Sequence, residues 1–496
     1  MIGNDRRITK QRSGWFSNLV PSLHRYLSVD GGSGAYLFAH LAGHNPFLQP
    51  VFSPRYADLL IVVMPISHKL APAVVAMAHA LVQPAHILLL DTAHELSDIF
   101  PAETFAPIED LFPEASHVPG DSVEAILQGV RSLKQWSARS VIDGDEPDPP
   151  TFSLPAREGL EMGTELAVLS LGPLQPFTSG PLRLVLMCDG EQVHSVHVDA
   201  GYAYRGIEQA MTSVTWQEAL AIARQFDPLA PIASQLAYVR AVEQLQGWQP
   251  PEYVAGLREA VVALERAQNT LWWLARFAHL LVDAPLFDRA SHLVADLTTC
   301  TARTWKSSPF IWIQPQQVMS GHVIEQTNAA KWRALAERLN HLQRSVEHSP
   351  LALRTRGIGV LTREQLEAAD VYSGPIFQAS DTDKGDILSR LLVRLQIATR
   401  DVFQVSDSLG RGETIREHAP VWNVPEGDVQ ATVEGPRGTI GLHLVSHAGS
   451  RPTRVEWQRP SAALLRVLPD LLQGQKLADV EVTLASLDLA MAEADG

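Results

Sequence analysis

Hydrophobic residues in the first part of the chain form two short, nearly uninterrupted runs. They are 57–64 (ADLLIVVM) and 86–91 (HILLLD), and an alanine-rich helical stretch, 71–81, lies between them. Runs of this length fit strands that are buried on both faces, and the order strand, helix, strand is the βαβ unit of parallel sheets. A further helical pattern follows at 122–135. The pattern predicts a small doubly wound α/β domain over about the first 135 residues.

The pattern changes after an acidic, proline-rich stretch, 143–150 (DGDEPDPP), which is a candidate linker. Beyond it, two apolar runs flank an Asp-Gly turn signal and predict a β-hairpin at 182–187 and 192–198. Helical periodicity dominates from about 207 to 349, so the second part is predicted to be a helix-rich α+β domain. The predicted elements are helices at 215–224, 232–246, 252–283, 328–347, 384–408, 460–473 and 476–492, and a second hairpin at 429–433 and 439–446.

Composition narrows the class of protein. The 496 residues carry a formal net charge of -15, which repels nucleic acid and anionic lipid over most of the surface and argues against both as main partners. No run of about 18 apolar residues occurs, so no membrane-spanning helix is expected. The basic N-terminal residues are not followed by the apolar core of a secretory signal, and a cytoplasmic location is therefore expected.

Metal and phosphate chemistry find little support in the residue pattern. With only Cys188 and Cys300, a disulfide framework and an iron–sulfur cluster held by four cysteines of this chain are excluded. His194 and His197 lie three apart on a predicted strand and so point to opposite faces. Three further histidines could suggest a metal site, but they lack a standard metal-binding spacing; they are His40, His44 and His94. Three glycines could suggest a phosphate-binding loop, but they lack its standard spacing; they are Gly31, Gly32 and Gly34.

Eleven short strings, in order along the chain, resemble two adjoining subunits of respiratory complex I and of the membrane-bound group of nickel–iron hydrogenases. Three resemble the small, cluster-bearing subunit: 53–58 (SPRYAD), 68–72 (HKLAP) and 118–120 (VPG). Eight resemble the large subunit: 172–182 (GPLQPFTSGPL), 201–208 (GYAYRGIE), 236–243 (LAYVRAVE), 353–361 (LRTRGIGVL), 374–380 (GPIFQAS), 434–446 (EGPRGTIGLHLVS), 451–454 (RPTR) and 486–495 (SLDLAMAEAD). Each string alone is weak, but their common order favours shared ancestry.

The resemblance implies a fusion of the two subunits. The expected fold is an α/β flavodoxin-like small module joined to a helix-rich α+β hydrogenase-large-subunit-like module. The expected boundaries are 1–138 for the small-subunit-like domain, 139–165 for the linker and 166–496 for the large-subunit-like domain.

The resemblance also implies that cofactor ligands have been lost, so no cofactor is expected. The family's [4Fe–4S] cluster needs four thiolates, and the matching positions are Gly34, Leu37, Ala93 and Asp121. The two Cys-x-x-Cys pairs that bind nickel in hydrogenases match Asp227 with Ala230 and Ala490 with Glu493, which excludes nickel–iron chemistry.

The quinone site of complex I is altered in the same way. Its loop has the form Gly-Pro-x-His-Pro-x-x-His-Gly, and both histidines are replaced here, by Gln175 and Ser179. The expected tyrosine falls at Pro228, which has no group to donate to a quinone. A further family loop is missing between Asp381 and Lys384.

Charged residues of the family pattern are retained, and in the family they lie near the junction with the membrane arm. Buried carboxylates have raised pKa values and can relay protons, so this set is a candidate for proton coupling. The alternative is that these residues are helix caps and structural ion pairs inherited with the fold. The set is Arg205, Glu208, Asp227, Asp386, Asp488, Glu493 and Asp495.

Three hypotheses for function follow. The first is a non-redox structural and coupling subunit on the cytoplasmic face of a complex I-like membrane assembly, with antiporter-like partners in the membrane. The second is a subunit of an NADH- or quinone-linked oxidoreductase whose cofactors are carried by partner subunits. The third is a small-molecule enzyme that uses the vacated cavity, although no nucleophile–base set in the sequence names a reaction.

Overall fold

The computed structural model describes residues 24–30, 48–51, 53–81, 83–91, 105–119, 123–133, 166–304, 329–371, 373–381, 384–408 and 422–496. The predicted linker, and the positions matched to cluster ligands, Gly34, Leu37, Ala93 and Asp121, lie outside these described residues. The three candidate metal-ligating histidines His40, His44 and His94 lie outside them as well.

The N-terminal part is built around a five-stranded parallel sheet with the strand order β2-β1-β3-β4-β5. The predicted βαβ unit is confirmed at β3, α1 and β4, with the helix ending two residues earlier than expected. The order belongs to the doubly wound sheets. The elements are β1 His24–Asp30, β2 Leu48–Pro50, β3 Leu59–Met64, α1 Ala71–His79, β4 His86–Asp91, α2 Ile108–Leu111, β5 Ser116–Pro119 and α3 Val123–Arg131.

Burial explains why the two apolar runs become central strands. In β3 every residue but the last is buried, and in β4 the four residues between the ends are buried. Leu60 and Val62 pack on one face of the sheet, against α1. Leu59 and Ile61 pack on the other face, together with Ile126 of α3. Both faces are therefore covered, as expected for a parallel sheet.

A three-stranded antiparallel sheet opens the second part. Its strands are β6 Ala167–Leu171, β7 Arg183–Asp189 and β8 Gln192–Asp199, in the order β6-β7-β8. The predicted hairpin is confirmed, and Gly190 makes its turn with φ +57°, a conformation that favours glycine. β6 was not predicted, because most of its residues are exposed and its apolar positions do not alternate.

Ten helices of the described chain follow β8 before the next strand. The long predicted helices are confirmed to within a few residues, except that 252–283 ends at Leu280. They are α4 Ile207–Ser213, α5 Trp216–Ala223, α6 Pro231–Leu245, α7 Glu252–Leu280, α8 Ala284–Thr304, α9 Ala329–Glu347, α10 Pro350–Thr355, α11 Arg363–Ala368, α12 Gly374–Ala379 and α13 Ile387–Ser408.

Four of these helices, α7, α8, α9 and α13, pack side by side as a bundle around the largest core. Along α7, Arg266 binds Asp401 and Trp273 lies under the guanidinium of Arg394, 4.7 Å from its ring centroid. The later residue of α7 contacts the earlier residue of α13, so the two helices run antiparallel. The end of α7 and the start of α13 consequently share one end of the bundle.

The C-terminal part returns to strands and then to short helices. The predicted second hairpin is confirmed, and a third strand that was not predicted completes its sheet in the order β11-β10-β9. The elements are β9 Gly427–Glu434, β10 Thr439–Ser446, β11 Arg454–Gln458, α14 Pro460–Leu472, α15 Leu477–Ser486 and α16 Met491–Asp495. The stretch after α15 also reaches back to the 172–180 loop, where the Ser179 N–H donates to the Leu489 carbonyl at 2.8 Å.

The parallel sheet is joined to the second part through the loop after β3. The Ser67 hydroxyl donates to the carbonyl of Tyr202 at 2.5 Å, and Lys69 donates to Asp199 at 2.7 Å and to the carbonyl of Ala200 at 2.6 Å. The Tyr202 side chain is buried in the core of the parallel-sheet part. The two parts therefore share core packing as well as surface contacts.

Candidate functional site

A buried arginine, Arg437, lies between two buried carboxylates of distant segments. Arg437 follows β9 in the tight turn Gly435–Gly438, which is closed by the Gly435 N–H donating to the Gly438 carbonyl at 2.9 Å. Its guanidinium donates to the carboxylate of Asp227 and, at 3.1 Å, to that of Glu493. All three side chains are almost fully buried. Such groups need partners, because an unpaired charge in the interior is costly.

A neighbouring backbone fixes the position of the Arg437 turn. Gly374 at the start of α12 has φ +91°, and a Cβ atom there would lie 2.7 Å from the Cα of Gly438 and 2.9 Å from the carbonyl oxygen of Arg437. Only glycine allows α12 to approach this closely. The segment Gly374-Pro375 and the turn Gly435–Gly438 therefore pack directly against each other.

Asp488 sits among three arginines. Its carboxylate lies 3.1 Å from Arg394, 3.8 Å from Arg437 and 4.0 Å from Arg276. Arg276 also donates to the hydroxyl of Ser179 at 2.8 Å. Asp488 has φ +55°, a left-handed conformation that aspartate tolerates better than most residues. The turn after α15 therefore aims this carboxylate at the guanidinium groups.

Glu265 of α7 closes the other side of the cluster. Its two carboxylate oxygens accept the backbone N–H groups of Ile232 and Ala233, each at 2.8 Å, in the first turn of α6. Burial raises the pKa of Glu265 from 4.5 to about 8, although the two N–H donors favour the ionised form; Asp227 raises the pKa further and Arg437 lowers it. Glu265 can therefore hold a proton near neutral pH.

Glu493 is also held by donors. It accepts from the N–H and the hydroxyl of Ser461, at 2.8 and 2.9 Å, in addition to Arg437. Burial raises the pKa of Glu493, while Arg437 opposes that rise. The carboxylate is thus held where three donors converge.

The charges of this cluster do not balance when every group is ionised. Four carboxyl groups, those of Asp227, Glu265, Asp488 and Glu493, face three guanidinium groups, those of Arg276, Arg394 and Arg437. One bound proton makes the cluster neutral. Glu265 is the carboxyl group best placed to hold it, because it has no arginine in direct contact among the described ion pairs. We refer to these seven residues as the buried cluster.

Four candidate residues of the sequence lie outside the buried cluster. Asp495 accepts the N–H groups of Gly201 and Ala203, each at 2.8 Å, and so shapes the loop after β8. Arg205 donates to the carbonyls of Ala492 and Phe226, at 3.1 and 3.3 Å. These two residues therefore organise the segments that carry the cluster.

Glu208 and Asp386 bind backbone and side-chain groups of neighbouring segments. Glu208 accepts the N–H of Trp457 at 2.9 Å and pairs with Arg459 at 2.8 Å. Asp386 accepts the N–H of Ser389 at 2.8 Å, which is the bond of a helix N-cap, at the start of α13. Neither belongs to the buried cluster.

A family model described as "Respiratory-chain NADH dehydrogenase, 49 Kd subunit" matches residues 413–496. A D-type NADH-quinone oxidoreductase subunit of Chloroflexus aurantiacus is 30% identical over 410 residues, which cover 70% of this chain and 98% of the relative. The chain belongs to the family of the 49 kDa subunit of respiratory-chain NADH dehydrogenase. A D-type subunit of the same kind from Roseiflexus castenholzii is 29% identical over 406 residues, with 97% of that relative covered.

A solved structure shares the fold of this 49 kDa-subunit family member. It is that of the membrane-bound sulfane sulfur reductase, an archaeal respiratory membrane complex, with a TM-score of 0.60 and 23% identity. The match covers 68% of this chain and all of the other chain. The likeness shows that the matched part of the chain shares the fold of a respiratory membrane complex chain, while about a third of the chain lies outside the match.

The positions matched to the family's quinone site have their polar groups occupied within the chain. Gln175 accepts the N–H of Phe177 at 2.6 Å and donates to the hydroxyl of Thr178 at 2.5 Å. Ser179 accepts from Arg276, as described above. Pro228 lies in the turn that Asp227 closes by accepting the N–H of Leu229 at 3.0 Å.

Sequence reasoning found three of the four carboxylates of the buried cluster and none of its arginines. Arg437 lies within the family-like string that begins EGPRG, but the sequence pattern did not single out its side chain. Glu265 was missed because it lies in a helix whose apolar residues dominate the pattern. In the described residues no group of three or more metal-ligating side chains converges, and His194 and His197 are both exposed.

Membrane spans are not found among the helices of the described ranges. None of these helices is both long enough and apolar enough to cross a bilayer.

Proposed function

We propose that this family member is a fusion of small- and large-subunit-like modules that acts as a non-redox structural and coupling subunit. It would sit on the cytoplasmic face of a complex I-like membrane assembly, attached through membrane-embedded, antiporter-like partners. The single observation that carries the proposal is the buried cluster, in which Arg437 joins Asp227 to Glu493.

The part of the chain that the relatives do not cover supports the fusion. The relatives cover about 70% of the chain. The parallel sheet has the flavodoxin-like order, in which the second strand lies outside the first. A small module at 1–138, a linker at 139–165 and a large module at 166–496 account for this division. Joining two modules that share the core around Tyr202 raises their effective concentration.

The donor set does not fit the metal centre of hydrogenases. Asp227, Ala230, Ala490 and Glu493 stand at the positions matched to nickel-binding thiolates, and Ala230 and Ala490 have no ligating atom. The two carboxylates that remain are bound to Arg437. A guanidinium between them supplies the positive charge that a metal would otherwise supply, so these residues do not form a metal site.

The quinone positions support a non-redox role in the same way. Gln175 and Ser179 stand where the family has histidines, and both bond within the chain. Pro228 has no hydroxyl to offer in place of the tyrosine. These residues supply neither the proton donor nor the hydrogen bonds that a quinone head group needs.

The geometry of Glu265 supports proton coupling. Its ionised carboxylate accepts both N–H groups at the start of α6, whereas in the protonated form one oxygen carries a hydrogen that needs an acceptor, and that oxygen is a weaker acceptor for an N–H group. Binding or release of a proton therefore changes how firmly the first turn of α6 is held. The turn that carries Asp227 directly precedes this helix, so the change reaches Arg437.

The second candidate function is that of a subunit in an NADH- or quinone-linked oxidoreductase whose cofactors are carried by partners. The relatives' names favour it, since they are subunits of NADH-quinone oxidoreductases and the chain covers 97–98% of their length. Iron or quinone that co-purified with the assembly and turned over in it would support this function.

Purification of the tagged full chain from detergent-solubilised native membranes separates the two functions. The coupling function predicts that antiporter-like membrane subunits co-purify and that iron–sulfur subunits do not. Arg437→Met is the test variant, and Arg338→Met, which alters an exposed ion pair with Asp296, is the matched control. Recovery of the wild-type chain alone from the soluble fraction would contradict the proposal.

A further inference from the structure

One end of the helix bundle exposes aliphatic side chains. At this end α7 finishes at Leu280, α10 packs beside the start of α13, and the Gly357 N–H donates to Asp386 at 2.7 Å. Val282 is 88% exposed and Leu353 is 80% exposed, and Val360 is 45% exposed. We call residues 281–284, 348–360 and 384–387 the upper end of the bundle.

Val282 is held in a strained conformation. Its φ is +59°, in the left-handed region, and the turn is fixed by the Val282 N–H donating to the His279 carbonyl at 3.1 Å and the Asp283 N–H donating to the Ala278 carbonyl at 2.9 Å. Helices commonly end in this way with glycine or asparagine, whereas a β-branched residue is strained there. The strained conformation leaves the Val282 side chain almost fully exposed to solvent. This exposure indicates that the side chain contacts another molecule.

Leu353 protrudes in a similar way from a rigid support. It lies on α10, whose residues Leu351 and Ala352 are buried in the bundle core. The helix begins at a proline and is capped by the Ser349 hydroxyl, which accepts the Ala352 N–H at 3.4 Å. A large aliphatic side chain is thus presented from a well-anchored turn.

The charge around these side chains is positive, against the trend of the chain. Residues 341–360 contain three arginines, two histidines and one carboxylate, and the other two segments of the upper end add Lys384, Asp283 and Asp386. The formal net charge of these segments is +1 with the histidines neutral, whereas the whole chain carries -15. Arg354 pairs with Asp479, while Arg344 and Arg356 are exposed. A surface of this kind is complementary to an acidic one.

We propose that the upper end is a docking surface for a partner protein with an apolar pocket bounded by carboxylates, into which Val282 and Leu353 insert. A protein fits better than a lipid surface, because two protruding side chains bury little area in a membrane. Rigidly held anchors suit a shaped pocket. The inference goes beyond the proposed coupling function and holds whether the partner lies in a membrane or not.

Site-specific photo-crosslinking in the full-length tagged chain, expressed in its native cells, tests the surface. A benzophenone amino acid replaces Val282 in one variant and Leu353 in another. Tyr56, which is 64% exposed in the parallel-sheet part, is the matched control position. We expect positions 282 and 353 to label the same partner protein, at a site rich in apolar residues and flanked by Asp or Glu, and position 56 to leave that site unlabelled.

Two substitutions give an independent reading. Val282→Asn relieves the left-handed strain, so Tm should stay the same or rise by about 1–3 °C, while labelling from position 353 falls. Arg356→Glu should lower labelling by about tenfold because it places a carboxylate against the acidic rim. Arg333→Glu, on the exposed face of α9 far from its C-terminal end, is the matched control and should leave labelling unchanged.

Several results would overturn the inference. They are adducts to lipid only, adducts only to a second copy of this chain, labelling no stronger than at position 56, or a fall in Tm for Val282→Asn with labelling intact. A labelled partner that is a soluble protein would support docking and count against the membrane-assembly proposal. If the labelled partner co-purified equally well with the wild type, Val282→Asn and Arg356→Glu, the docking surface would be contradicted. Unchanged recovery of the membrane subunits would leave the coupling proposal standing.

Discussion

Replacing Glu265 by glutamine should remove a pH-dependent part of the stability of the helical domain. In the folded chain the pKa of Glu265 is raised from 4.5 to about 8, so the folded state binds this proton more tightly than the unfolded state does. The stability contributed by proton binding is therefore complete below about pH 4.5 and is lost as pH rises through about 8. Glutamine stays neutral and cannot show that loss.

The size of the effect follows from the pKa. A rise from 4.5 to about 8 corresponds to roughly 5 kcal/mol at 1.36 kcal/mol per pH unit. Reorientation of the neighbouring groups and of water relieves part of the cost of burying the charge. We therefore expect the wild-type free energy of unfolding, relative to Glu265→Gln, to fall by about 2–3 kcal/mol between pH 5 and pH 9.

Urea unfolding followed by far-ultraviolet circular dichroism at several pH values measures this difference. Glu252→Gln is the matched control, because Glu252 is exposed in the first turn of the same helix. Hydrogen exchange gives a local readout, since the amides of Ile232 and Ala233 bond to Glu265. If Glu265→Gln kept the wild-type pH dependence in both measurements, the assignment of the stored proton to Glu265 would be wrong.

Three further outcomes follow from the same contacts. Arg437→Met should lower the free energy of unfolding at pH 7 by about 3–5 kcal/mol, because it leaves buried carboxylates without their cation. An equal effect of the exposed Arg338→Met in the same denaturation assay would refute this explanation. Gly374→Ala should cost about 2–4 kcal/mol through left-handed strain and collision with the Arg437 turn; thermal unfolding close to that of the wild type would contradict the close approach. Hydrogen bonds that His443 donates to the carboxylates of Glu456 and Asp428 raise the pKa of His443. The stabilisation is therefore complete below the usual histidine pKa and is lost as pH rises through the raised value. His443→Gln should then lower Tm at pH 6 and leave it unchanged at pH 9, and equal losses at both would count against the pairing.

Local patterns were enough to predict the central elements. The runs 57–64 and 86–91 became β3 and β4 because a strand buried on both faces needs uninterrupted apolar residues. β1, with the mixed sequence HRYLSVD, was not predicted, since its polar residues hide the strand pattern until neighbouring strands supply hydrogen bonds. The division into a parallel-sheet part and a helix-rich part could therefore be predicted from local sequence patterns. The strands at the edges of the sheets could not.

The candidate site shows where local patterns fail. Asp488 and Glu493 could be singled out because a family string carries them, and Asp227 because it matches a nickel-binding position of hydrogenases. Their common partner Arg437 depends on the folding of distant segments. Glu265 looks like one polar residue on an amphipathic helix, and only the packing of α6 against α7 buries it. Asp386 illustrates the opposite case, because its retained charge serves as a helix cap.

The wide separation of the cluster's members along the chain has a consequence for synthesis. Arg437 and Asp227 lie 210 positions apart, and Glu493 is made later still. At about 5–20 residues per second, a ribosome needs roughly 10–40 s to extend the chain from Asp227 to Arg437. Until Arg437 is made, the carboxylate of Asp227 lacks the guanidinium that it binds in the folded chain, and its burial would be costly. The last strands and helices, which carry Arg437 and Glu493, are therefore needed to complete this part of the core.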